Sequence, residues 1–287
     1  MKNKRPNVQN VMLFRPIDDL LFNLMYQDKM YQDKAACQEL IRTILDDDAI
    51  TVISVTAQDS VPNLYGRGVR LDVLCKTGTG KLINVEVQRK DNDDHFRRMR
   101  YNASVITSRY TSKGTDFRDV VEVYVIYITE FEITKSTKTV CHVESVIKET
   151  GEFIDDGLHR IIVNAKINDG TKAARLMKHF RERDFTDNEF PEASKQIRYY
   201  KHTEKGTKAM SSVMEQIIND WVIERDKERD KERDAVTLVQ NVDKLAKRFN
   251  VTTAEACTFL DKTIADYEEA QRIIERAEAE ETEAEYA

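Results

Sequence analysis

The sequence predicts an α/β fold, a mixed sheet with helices on its faces, and three observations carry that expectation. Two alternating, β-branched runs at 69–75 and 82–87 flank Thr77-Gly78-Thr79-Gly80, the pattern of a hairpin closed by a short Gly-containing loop. The stretch VVEVYVIYIT at 120–129 is apolar on both faces, so it belongs near the middle of a sheet covered from both sides. Amphipathic segments at helical spacing precede, separate and follow these runs, giving the order helix, strands, helix, strand of an α/β sandwich. With 287 residues, 40% hydrophobic and 33% charged, the chain can bury one full core and carry a polar extension.

In chain order, Asp18 and Asp19 precede Leu20, Leu21, Leu24 and Met25, an N-cap and acidic first turn ahead of an apolar stripe. A second helix over 34–45 turns Cys37, Leu40, Ile41 and Ile44 inward. A first strand is expected at 51–56 and a loop at 62–68, ahead of the hairpin. After the hairpin, residues 91–94 can cap a helix running to Ser112, with Phe96, Met99, Ala103, Ile106 and Tyr110 as its buried stripe. Strands follow at 120–129, 141–147 and 160–167, the last two separated by a polar turn at 152–157. The pattern is helical again from 171 to 202.

The hairpin carries the candidate chemistry. In its second run a period of two puts Glu86 and Gln88 on one face, with Ile83, Val85 and Val87 on the other. In its first run Arg70 and Asp72 oppose Leu71, Val73 and Cys75. A loop centred on Thr79 sets Asp72 across from Glu86, with Cβ atoms roughly 5 Å apart. Facing carboxylates repel, and a hard divalent cation such as Mg²⁺ suits an all-oxygen site between them, with Mn²⁺ or Ca²⁺ as alternatives. The plain alternative is an acidic pair on an exposed hairpin face. On the helix that follows, Arg97, Arg98, Arg100, Tyr101, Ser104, Ser108 and Arg109 combine guanidinium groups, hydroxyls and a ring suited to phosphate contacts; a solvated charged face is the rival account.

Asp72 followed by Glu86-Val87-Gln88 resembles the PD-(D/E)XK nuclease motif, with Gln where that superfamily usually has Lys. FRPIDDLLFNLM, RLDVLCKTGTGKLINVEVQRK, RRMRYNAS and GTDFRDVVEVYVIYITE, in that order, are similar to the Rpn-like recombination-promoting nucleases, also described as PD-(D/E)XK nuclease family transposases. The likeness runs over about 14–200. It implies a restriction-endonuclease-like core, metal-dependent DNA endonuclease activity linked to recombination or mobile elements, and DNA as partner. It further implies that Asp72 and Glu86, with the Val87 carbonyl, hold the metal, joined by an acidic residue of the first helix. Asp19 is the candidate there, and Glu39 the rival. Gln88, an amide, can only orient water or phosphate by hydrogen bonds, which leaves charge compensation to the metal or to Arg89 and Lys90. The alternative function is a cleavage-deficient DNA-binding or helical interaction protein that keeps the fold.

The C-terminal third changes character, so the expected division is 1–205 for the nuclease-like domain, 206–250 for a long charged helix and 251–287 for a C-terminal helix with an acidic tail. Val213, Met214, Ile217, Ile218 and Trp221 form an apolar stripe that stops at ERDKERDKERD and resumes with Val236, Val239, Val242, Leu245 and Phe249. This is expected to be one long interrupted helix that packs either on the core or, in coiled-coil fashion, on a second copy as a homo-oligomer. Thr252 to Glu255 has capping-box spacing, opening a last helix with Phe259, Leu260, Ile264 and Tyr267 as its apolar side and a frayed acidic end. The net charge of −6 gives no global basic signature, so nucleic-acid attraction must come from a local patch. Cys37, Cys75, Cys141 and Cys257 lie far apart and read as buried thiols. The basic start MKNKRPNVQN has no apolar run of signal or membrane length behind it, so a cytoplasmic protein without membrane contact is expected.

Overall fold

The computed structural model describes residues 12–27, 34–61 and 69–285, so the expected loop at 62–68 lies outside the described residues. The chain divides into two compact units, Met1–Met214 and Glu215–Ala287. In the first, α1 (Asp19–Gln27) and α2 (Ala35–Leu45) precede β1 (Val52–Val61), β2 (Val69–Thr77) and β3 (Leu82–Gln88). Then come α3 (His95–Tyr110), β4 (Val123–Thr129), β5 (Val140–Val143), β6 (Ser145–Val146), β7 (Phe153–Ile154), β8 (Leu158–Asn164), α4 (Lys172–Phe180) and α5 (Pro191–His202). Among the described residues one mixed sheet has the strand order β1-β2-β3-β4-β8-β5. This is the expected α/β architecture.

The hairpin forms because Gly80 takes a left-handed φ of 88° and its N–H closes the turn on the Thr77 carbonyl at 3.0 Å. β3, β4 and β8 are mutually parallel. A parallel pair needs a crossover connection, and α3 supplies the one between β3 and β4. The sheet therefore has two buried faces. On one, Ile83, Val85 and Val87 of β3 pack with Leu21, Phe22, Leu40, Met177, Phe180 and Ile197 of α1, α2, α4 and α5. On the other, Leu74, Leu82, Val125 and Tyr127 pack under Met99, Ala103 and Ile106 of α3.

Several expectations are corrected in detail. Leu71 joins the α3-side cluster and not that of Val73 and Cys75, so strict alternation breaks at the start of β2. On α3, Phe96 and Tyr110 are exposed, and His95 and Asn102 are turned inward in their place. β1 runs five residues beyond 56 because it pairs with β2 as far as Val61↔Val69. The polar segment 152–157 contains β7, which pairs with β6, and the helical stretch 171–202 is broken into α4 and α5. Asp18 precedes α1, but its carboxylate is engaged by arginines. Cys37 and Cys75 are buried with their sulfurs 2.7 Å apart, whereas Cys141 is partly exposed.

The long helix α6 (Glu204–Phe249) begins in the first unit. In its charged segment Asp226–Arg229 and Asp230–Arg233 pair at 3.0 and 3.1 Å, both exposed and of small energetic value. In the second unit the predicted last helix is two, α7 (Thr253–Phe259) and α8 (Ile264–Glu285), separated at Asp261 with φ 54°. The Thr252/Glu255 capping box is present on α7. A second, unforeseen Thr263/Asp266 pair opens α8 in the same way. Val242, Ala256 and Cys257 form the small core there, while Phe259 and Ile264 are exposed. The acidic end is helical to Glu285. Among the described residues no helix is long and apolar enough to cross a membrane.

At the α5–α6 junction a Cβ on Gly206 would lie 2.0 Å from the Tyr199 carbonyl oxygen and 2.7 Å from Tyr200 Cα. Backbone cannot yield as a flexible side chain can, so Gly206→Ala should destabilise the protein by about 1–3 kcal/mol in denaturant unfolding. A variant as stable as the wild type would contradict this close approach.

Candidate active site

The β2–β3 ladder runs from Lys76↔Leu82 to Val73↔Val85, the register expected of a loop centred on Thr79. Beyond Val73, β2 stays with β1 as far as Val69, and β3 stays with β4 as far as Gln88. The two strands part there, and Asp72 and Glu86 stand at the fork. Backbone N–H groups that lose a strand partner need another acceptor. Here each carboxylate serves the opposite strand: Val87 N–H donates to Asp72 Oδ2 at 3.1 Å, and Asp72 N–H donates to Glu86 Oε1 at 3.4 Å.

Glu86 is buried on the face covered by α3 and also accepts a 2.9 Å hydrogen bond from Asn84 Nδ2. Burial first, and then the neighbouring Asp72 charge, push Glu86 up to about 8. Burial is also the main cause raising Asp72 to about 6, opposed by the Val87 N–H and aided by the Asp19 charge. Both shifts follow from desolvated like charges.

Gln88, the next residue on that face of β3, donates to the Lys90 carbonyl at 3.0 Å and accepts from Arg98 Nη1 at 3.4 Å. Arg98 also donates to Asp94 Oδ2 at 3.0 Å. Above this row lies a cavity of about 490 Å³ walled by Glu86, Arg70, Arg97, Arg98, Arg100 and Tyr101. Five of the expected residues, Glu86, Arg97, Arg98, Arg100 and Tyr101, thus line one space. Ser104 is exposed and its hydroxyl bonds back to the Arg100 carbonyl at 2.9 Å, away from that wall.

Asp19 is open to solvent on the first turn of α1, its carboxyl raised by local desolvation, and its charge reaches Asp72. Glu39 is elsewhere: its two oxygens accept from Glu192 N–H and Ala193 N–H at 3.1 and 2.8 Å, capping α5. Arg89 pairs with Asp18 at 2.8 Å and Glu130 at 3.2 Å, and Arg15 bridges the same two carboxylates.

Asp94, expected among the capping residues of α3, makes no side-chain cap and pairs with Arg98 instead, while Asn84, His95 and Tyr127 have no part in the sequence expectation for the site. Asn84 was within reach of the period-two pattern, being two residues before Glu86. His95 and Tyr127 have no such signal: the exposed Asp91, the buried His95 and the Tyr127 hydroxyl form a chain at 2.8 and 3.3 Å that only the packing of α3 on β4 creates.

A hard cation requires oxygen ligands, and the fork offers two carboxylates side by side, Asp72 and Glu86. The residues present fit such an ion. Among the described residues no group of three His, Cys, Asp or Glu side chains is gathered for a metal. The family description "PD-(D/E)XK nuclease family transposase" matches residues 16–247. The chain belongs to this family. No curated protein and no solved structure gave a match.

The raised carboxyls set a pH dependence for the β2–β3 fork of this PD-(D/E)XK family member. Because the folded state holds protons that the unfolded chain has lost above about pH 4, stability falls as pH rises from there through about 8. In EDTA the melting temperature should drop between pH 5 and 8. Asp72→Asn should flatten that drop and add about 1 kcal/mol at pH 8. A flat wild-type profile, or a less stable variant, would contradict this electrostatic account.

Proposed function

We propose that this protein is a metal-dependent DNA endonuclease that hydrolyses phosphodiester bonds at the β2–β3 fork. The observation that supports this most is the placement of Glu86, beside Asp72, at the floor of a cavity walled by arginines. Deprotonated Asp72 and Glu86, with the Val87 carbonyl, would hold Mg²⁺, with Mn²⁺ or Ca²⁺ as alternatives and Asp19 as the nearest further carboxylate. When bound, such an ion polarises the scissile phosphate and makes water a better nucleophile. Gln88 orients water or a phosphate oxygen through its amide. Arg97, Arg100 and Tyr101 hold flanking phosphates, and Ser104 extends the same helix outward. In the second unit, Val222, Ile223 and Phe249 are exposed apolar side chains on α6, and we assign the C-terminal helices to self-association.

Plasmid incubated with Mg²⁺ should be cut, and EDTA, Asp72→Asn or Glu86→Gln should each abolish cutting. Mg²⁺ should also raise the melting temperature of the wild type and leave Asp72→Asn unmoved. The engaged carboxylates favour a second reading, a DNA-binding protein that does not cleave. Binding with no cutting under any of the three ions would establish that reading and overturn the first.

The basic wall makes a separate prediction. Replacing Arg97 and Arg100 with Gln should weaken DNA binding across unrelated sequences and reduce the slope of log K against log salt by about 2. An unchanged slope would remove these residues from the interface.

A further inference from the structure

We infer that Arg98 is the cation of this site, acting on the scissile phosphate from α3 in place of the lysine that Gln88 replaces on β3. The inference rests on the nuclease reading and adds to it a residue with a charge-stabilising role. Phosphodiester hydrolysis accumulates negative charge on the phosphoryl oxygens, and a fixed positive group that meets them there is a principal source of rate. An amide at position 88 carries no charge to offer.

The other basic residues nearby are placed differently. Arg89 is held between Asp18 and Glu130, and Lys90 is exposed beyond the end of β3. Arg70 reaches the cavity and its charge acts on Asp72, but it is exposed at the start of β2, and Gln88 bonds Lys90 and Arg98. Arg98 is only partly exposed, and its guanidinium is held on two sides, by Asp94 at 3.0 Å and by Gln88 at 3.4 Å. A guanidinium has five N–H donors in a plane, so two such bonds fix its orientation and still leave donors for a phosphate. The charge of Arg98 acts on both site carboxylates, while Asp72 also feels that of Arg70.

Its position in the helix supports the same conclusion. Arg98 is the fourth residue of α3, where the helix dipole disfavours a cation. Asp94, directly before the helix, offsets that cost and aims the side chain. The departure at position 88 and the arginine on α3 also account for each other. A Lys ammonium at 88 would meet the guanidinium at contact distance and be repelled, whereas the Gln88 carbonyl oxygen accepts from it.

The test uses the full chain in single-turnover cleavage of labelled duplex DNA with Mg²⁺, and DNA affinity with Ca²⁺ as a metal expected to support binding. Arg98→Gln should slow cleavage at least 100-fold while DNA affinity changes less than threefold, because Arg97 and Arg100 remain. Arg98→Lys should keep at least a tenth of the wild-type rate. Gln88→Lys should slow the wild type, and in the Arg98→Gln background it should recover at least tenfold by returning the charge to β3. Wild-type rates in Arg98→Gln, or losses of affinity and rate in equal proportion, would overturn the inference and leave the nuclease reading standing. A wild type that never cuts would overturn both. If Arg98→Gln does not fold, Arg98→Lys decides, and a folded but inactive Lys variant counts against the inference.

Discussion

The mutual capping of Asp72 and Glu86 across the β2–β3 fork is the constraint on which the site depends. A ladder that simply continued would engage its N–H groups with carbonyls and leave both carboxylates without a backbone partner. Because the strands part after Val73↔Val85, the N–H groups of Val87 and Asp72 are satisfied by carboxylates instead. That holds two acids close together, where burial raises both pKa values, the Asp72 charge adds to the rise at Glu86 and the Asp19 charge to that at Asp72. The metal-free fold thus stores electrostatic cost at the place where a cation is proposed to act. Hydrogen bonding, burial and the proposed chemistry are one arrangement viewed on three scales.

The surroundings keep that fork in place. Arg15 and Arg89 bridge Asp18 and Glu130, tying the start of α1 to the ends of β3 and β4 with four alternating charges. Partly buried networks of this kind hold geometry more than they add stability. On the far side of the core Lys201 donates to the carbonyls of Met12, Phe14 and Arg183, so the segment before α1 is anchored to α5. Glu39 performs the same kind of service at the start of α5. Two acidic or basic residues that might pass for functional groups in the sequence, Glu39 and Arg89, are accounted for by these fixed partners.

Local chemistry in the sequence by itself determined most of the architecture: the turn residues at 77–80, the period-two runs beside them, the doubly apolar β4, and the Thr252/Glu255 cap all act between near neighbours. It also determined the register that brings Asp72 opposite Glu86, because a hairpin's register follows from its loop. Only the tertiary structure decided where β2 and β3 part, which inward positions of α3 are His95 and Asn102, and that Arg98 reaches Gln88. Each of these depends on contacts between elements distant along the chain. A helix's periodicity names a buried stripe to within a residue or two, but the strands packed beneath it select which side chains fill that stripe. For the same reason a run of arginines in sequence does not reveal which one faces the carboxylates and which faces solvent.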